Sequence, residues 1–192
     1  IAWAFSIWGL IYSLVGSFVI YQALPESWVS AGWFGSARND ELIFNSIGFA
    51  FLINMISQII WFPAFAAENT AGYIISSMDI VVMLVSALYM MYQSTRNEVN
   101  GWEWTFIRAG ITIYSGWLTT ATILNFTVSL KYFGFTELSW ATEEQIAIAI
   151  LYVAAFIYNL ASYLELNPLF GAVFIWVIIG IRAKIMDERS EL

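Results

Sequence analysis

The 192-residue sequence predicts an all-α protein, a polytopic transmembrane helix bundle of six spans. Apolar side chains make up 60% of the residues and the mean hydropathy is +0.74, against roughly 45–50% apolar in soluble domains. Only 11% of residues are charged, and they gather between the apolar runs, as they must if the runs cross hydrocarbon and the charges stay in water. The runs themselves are long enough for the roughly 20 residues that a helix needs to span a bilayer.

The first helix is expected over Ile1 to Leu24, stopped by Pro25. Because it starts inside an apolar run without an initiator Met, a further segment is expected to precede Ile1. Trp8 and Tyr12 lie four residues apart on it, and Gly9, Ser13 and Gly16 form a stripe of small residues suited to close helix approach. Pro25 to Glu41 reads as an interfacial loop with Trp28 and Trp33 at headgroup level. The second helix, Leu42 to Ala66, carries Asn54, Gln58 and Trp61 at i, i+4 and i+7, with Pro63 near its end. A short turn at Glu68 to Ala71 makes an antiparallel hairpin with the third helix, Gly72 to Tyr92. Asp79 lies well inside that third span. An ionisable group at such depth is a functional candidate by default, the alternative being a carboxyl hydrogen-bonded to Ser76, Ser77 or a neighbouring helix.

The fourth helix, Trp104 to Tyr132, holds the stretch around which the chain is organised. Tyr114, Trp117, Ala121, Asn125 and Val128 share one stripe at 3.6 residues per turn, with Ile, Leu and Thr opposite. An amide in hydrocarbon needs a partner within the protein, so this stripe is expected to face a bundle centre or a pocket. The fifth helix, Glu143 to Leu164, begins at Thr142 with Glu143, Glu144 and Gln145 in its first turn, a composition suited to the positive end of the helix dipole. Leu166-Asn167-Pro168 links it to a sixth helix, Pro168 to about Ile185, which ends in a charged tail. Lys and Arg divide three against four between alternate sides, so the positive-inside rule assigns no orientation.

With neither Cys nor His, disulfides, thiolate zinc sites, Cys or His nucleophile dyads and imidazole-ligated haem are excluded. A net charge of -7 points away from nucleic acid as a partner. No nucleophile and base occur at a recognisable spacing, which points away from an enzyme.

Ala4-Phe5-Ser6-Ile7-Trp8-Gly9-Leu10-Ile11-Tyr12 resembles the Phe-x-x-Trp-Gly-x-x-Tyr pattern in the second helix of the translocator protein (TspO/MBR) family, the tryptophan-rich sensory proteins. Asn54, Gln58, Trp61, Pro63 and Phe65 are similar to that family's third helix, and Tyr114-Ser115-Gly116-Trp117, Ala121-Thr122 and Leu124-Asn125-Phe126 to its fifth. The resemblance covers roughly Ile1 to Leu130, and it implies two units: residues 1–132, a TspO-like four-span bundle, and 133–192, an added hairpin and tail. It departs from the family in the exchanged order of Asn54 and Gln58, in Ile113 where the family has Pro, and in a sterol-recognition pattern with Phe126 for Tyr and its basic residue displaced to Lys131. The resemblance implies a helix before Ile1, a location in a membrane, mitochondrial if the source is eukaryotic, and a pocket for porphyrins or other flat apolar ligands. The ligand-binding residues are then Trp8, Tyr12, Asn54, Gln58, Trp61, Tyr114, Trp117, Ala121 and Asn125. Porphyrin or bound lipid is the expected ligand and no metal site is expected. The expected partners are membrane lipid, a hydrophobic small molecule, and other membrane subunits or a second copy of the chain. Three readings compete: a sensory or transport-related ligand binder, a structural accessory subunit of a large membrane complex such as a respiratory assembly, and a transporter or channel using Asp79 and Arg108. The last lacks paired discontinuous helices.

Overall fold

The computed structural model describes residues 6–30, 37–135, 143–165 and 167–190. Ala4, Phe5, Trp33, Thr142, Leu166 and the last two residues, and the side chains of Glu143 and Glu144, fall outside that description. Among the described residues six long helices carry the fold: α1 (Ile7–Ala23), α2 (Gly48–Ala66), α3 (Thr70–Arg96), α4 (Gly110–Tyr132), α5 (Glu143–Leu164) and α6 (Pro168–Ser190). No strand occurs among the described residues.

Several ends differ from the sequence expectation, each for a local reason. The third helix starts earlier, at Thr70, because the Asn69 side chain caps it by accepting from the Gly72 backbone N–H at 2.9 Å. The α2–α3 turn is correspondingly tighter, and Glu68 takes a left-handed φ of 48°. The second and fourth helices are entered through wider π-helical stretches, Glu41–Ser46 and Trp104–Ala109. Before the latter, Asn100 and Glu103 form a reciprocal capping box.

α2 packs along α3, α3 along α4, and α4 along both α1 and α6, while α5 pairs with α6. α1 and α2 stand further apart and are bridged by long side chains, including an edge-on Phe18–Phe51 contact at 5.1 Å. The expected single inward stripe on the fourth helix is corrected here: from Gly110 to Thr120 nearly every residue is buried, on all sides. α6 causes this by covering the face opposite the stripe, with Val173 so close to Gly116 that an added Cβ would lie 3.0 Å away. The Tyr158 hydroxyl of α5 is buried against the Gly116 carbonyl and Thr120, and the Asn167 amide donates to Thr112 at 2.8 Å.

Four of the helices, α2, α3, α5 and α6, are long and apolar enough to cross a membrane. α1 has 17 described residues and α4 is too polar to qualify by hydropathy. The reason lies in its position. A helix enclosed by protein can carry Thr112, Ser115, Thr119 and Thr120, provided that their hydroxyls find acceptors, and Ser115 and Thr119 bond the carbonyls four residues back at 2.7 and 2.9 Å.

Candidate functional site

Antiparallel pairing of α2 with α3 sets Asn54 opposite Met83 and Ser86, and α4 brings Tyr114 to the same level. The fully buried Asn54 amide donates to the Met83 carbonyl at 2.7 Å and to Ser86 Oγ at 2.8 Å, while the Tyr114 hydroxyl donates to Asn54 Oδ1 at 2.6 Å. Three helices are thus tied at one side chain. Two turns along α2, Trp61 Nε1 donates to Asn125 Oδ1 at 2.9 Å, and the Asn125 amide donates to Ser77 Oγ at 3.0 Å. Ser77 and Ser129 then share a hydrogen bond of 2.9 Å. The Trp61 ring stacks on Phe65 with centroids 5.2 Å apart.

Gln58 turns the other way, toward α1, where its Nε2 donates to the Tyr12 hydroxyl at 2.8 Å. The Tyr12 ring lies 5.2 Å from that of Trp8 and 21° from parallel with it. Trp8 in turn meets Trp117 edge-on at 6.0 Å and Tyr114 at 6.5 Å. Trp117, Tyr114, Asn54 and Asn125 are buried, Trp8 and Trp61 are half-buried, and Tyr12 remains 54% exposed. Ala121 is half-buried between Trp117 and Asn125.

The nine residues singled out in the sequence therefore form an aromatic group at the α1 edge, joined through Tyr114 to Asn54, and a separate Trp61–Asn125 polar layer. Sequence reasoning missed their partners Ser77, Ser86 and Ser129, because a lone Ser on a membrane helix reads only as a small residue. Of the partners expected for Asp79, Ser76 and Ser77 are engaged elsewhere, with the Tyr73 carbonyl and with Ser129, and the bond comes instead from the neighbouring helix, through Ser57 of α2.

At one end of the bundle the charged residues hold the chain together. Glu103, buried, accepts from the Asn39 N–H at 2.6 Å, the Asn100 N–H at 3.1 Å and the Tyr21 hydroxyl at 3.2 Å. Arg38 donates to the Gln22 and Leu24 carbonyls at the end of α1, and Arg108 to the Ser94 and Asn97 carbonyls at the end of α3. Both cations sit where a helix dipole favours them. Asp40, 2.5 Å from Arg38, raises the guanidinium's pKa further through their hydrogen bond. Arg108 is thus committed to closing a helix end rather than lining a wet path.

A cleft of about 770 Å³ opens between α4 and the first half of α5, lined by Ile123, Phe126, Leu130, Ile146, Ile150 and Val153 among others. Its walls are apolar, and the hydroxyls of Thr122 and Thr127 are turned back onto their own helix. None of the nine predicted residues lines it. No cluster of acidic side chains suited to a metal occurs among the described residues.

A family model described as TSPO-like protein matches residues 2–192. The chain belongs to the TSPO-like protein family. The match runs through α5 and α6, well past Leu130, where the motif resemblance ended. Together with the four long apolar helices, membership makes it an integral membrane protein. No curated protein and no solved structure matches the chain.

Proposed function

We propose that this TSPO-like protein takes a flat apolar molecule, a tetrapyrrole or a lipid, from within the bilayer onto the ring faces of Trp8 and Tyr12, in a sensory or transport-related role. The supporting observation is the Trp8–Tyr12 stack, with Tyr12 more than half exposed and its hydroxyl fixed by Gln58. A conjugated ligand extends such a stack at little ordering cost, because Gln58 and Trp117 already hold both rings. The deeper amides are committed to other side chains, so stacking and buried area rather than polar anchoring select the ligand.

Metal-free porphyrin should quench the tryptophan fluorescence of the purified protein saturably, and about as well as haem does, since the chain has no His to ligate iron. Tyr12→Ala and Trp8→Ala should each weaken binding several-fold, as loss of a stacking ring forfeits about 0.5–1.5 kcal/mol beyond its area. Trp117→Ala, which removes the edge support of Trp8, should weaken it as well. Equal quenching of the wild type and all three variants would mean partition into detergent and would overturn the reading.

A second reading, a structural subunit of a larger membrane assembly, draws support from one observation. Asn54, Trp61 and Asn125, the polar groups expected to meet a ligand, are spent on hydrogen bonds among α2, α3 and α4. Under this reading wild-type protein shows no saturable porphyrin binding.

A further inference from the structure

Asp79 belongs neither to the Trp8–Tyr12 aromatic group nor to the Trp61–Asn125 layer. It sits on α3 about 14 Å along the axis from Thr70 at 1.5 Å per residue, deep in an apolar span. Its Oδ2 is buried and receives no hydrogen bond. The Ser57 side chain of α2 is hydrogen-bonded to the carboxyl from across the seam. No ion pair among the described residues includes it. α2 carries no charged side chain at all, and the other charge on α3, Arg96, is at the far end of the helix and paired with Glu165. Where α4 meets this part of α3 it offers Asn125 and Ser129, both already bonded to Ser77.

The position of Asp79 on the helix is as informative as its unbonded Oδ2. On one side of it Ser76, Ile80 and Met83 are buried in the bundle; on the other Ile75, Met78 and Val82 are exposed, as are Ile56 and Ile60 across the seam. The carboxyl therefore stands at the lip of a seam, half-covered and bordered by apolar side chains that face hydrocarbon. A carboxylate in such a place is costly until a donor or an opposite charge reaches it, and the protein's described side chains supply neither a cation nor a donor to Oδ2.

We infer that Asp79 anchors a lipophilic amine drawn from the bilayer, its ammonium group paired with the carboxyl and its apolar body lying along Ile75, Met78, Val82 and Ile60. An ammonium suits the site better than a neutral donor, because it supplies N–H groups to the half-covered carboxyl and cancels its charge in the same contact. The site is independent of the Trp8–Tyr12 platform, since Ser57 and Gln58 turn to opposite edges of α2.

The test uses the full chain in zwitterionic phosphatidylcholine nanodiscs and two probes, a dansyl-labelled octylamine and the matching dansyl-labelled octanol. The wild type should bind the amine saturably and at least tenfold more tightly than the alcohol. Asp79→Asn should abolish that preference and Asp79→Glu should retain part of it. Val82→Trp, a lipid-facing change that leaves the seam intact, should abolish it by filling the lip, which keeps the test decisive even if Asp79→Asn fails to fold. Equal affinity of the wild type for amine and alcohol, or a preference that survives in Asp79→Asn or Val82→Trp, overturns the assignment.

Discussion

Replacing Asn54 with Ala removes three interhelical hydrogen bonds at one stroke, but their losses differ in kind. The Met83 carbonyl and the Ser86 hydroxyl keep alternatives, since the carbonyl stays in its own helix and Ser86 also donates to Val82 at 2.8 Å. Each of those two bonds is worth about 0.6 kcal/mol on the average measured within membranes. Tyr114 has no such recourse: its hydroxyl is buried, points at Asn54 Oδ1 from 2.6 Å, and costs about 1–3 kcal/mol if left without an acceptor. The expected loss is about 2–4 kcal/mol. Tyr114→Phe alone should cost about 1 kcal/mol, and adding it to Asn54→Ala should cost little more, because the stranded hydroxyl disappears with it. Reversible unfolding in mixed micelles with increasing dodecyl sulfate, followed by tryptophan fluorescence, gives the four free energies of the double-mutant cycle. A coupling of about 0.6–1.7 kcal/mol is expected. If the single effects add to within ~0.3 kcal/mol, Tyr114 and Asn54 are not bonded in the membrane and the three-helix tie is wrong.

Gly72→Ala places a methyl group against the Ala64 carbonyl oxygen across the α2–α3 turn, so the same unfolding assay should register a loss of about 1–3 kcal/mol; an unaltered midpoint would refute the close approach. Tyr158→Phe removes the hydroxyl that ties α5 to Gly116 and Thr120 of α4. Amide hydrogen exchange should then accelerate in α5 while α2 and α3 stay as protected as before, and uniform exchange would show that the tie does not hold the hairpin. Glu103→Gln keeps the shape but gives up the charge that accepts from Asn39 and Asn100, for an expected loss of about 1–2 kcal/mol, and Glu103→Ala should lose more; equal melting of all three proteins would contradict the buried lock.

The aromatic and amide positions were legible because α4 is a regular helix from Gly110 onward, so spacing converts directly into direction and Tyr114, Trp117 and Asn125 turn inward together. The same rule applied to α2 gave only half the answer. Asn54, Gln58 and Trp61 do cluster by angle, yet they face different neighbours, because α2 lies between α1 on one side and α3 with α4 on the other, and spacing says nothing about how many helices a face meets. The π-helical entries at Glu41–Ser46 and Trp104–Ala109 have no local signature either; they are read as ordinary helix until the backbone is seen. The polarity of α4 was a tertiary fact in disguise. Its hydroxyls keep it less apolar over the width of a membrane than α2, α3, α5 and α6, and hydropathy alone therefore passes over the helix that the others surround.

That inversion follows from the solvent. In lipid an apolar side chain gains little by turning inward, so what holds helices together is close approach through small residues and hydrogen bonding between side chains. α4 has both, in Gly110, Gly116 and its Ser and Thr hydroxyls. α2 has the opposite character: Phe49, Leu52, Ile59 and Phe62 all face outward, and its polar residues reach neighbours only along its two edges. The two proposed ligand sites lie on those two edges, Gln58 with Tyr12 and Trp8 toward α1, Ser57 with Asp79 toward α3. A ligand on one edge leaves the other free, whereas a protein subunit seated along the outer face of α2 would cover both at once. Porphyrin and amine binding that occur together in the isolated chain and vanish together in an assembled complex would therefore mark α2 as the shared contact of ligand and partner, and independent loss of the two would separate them.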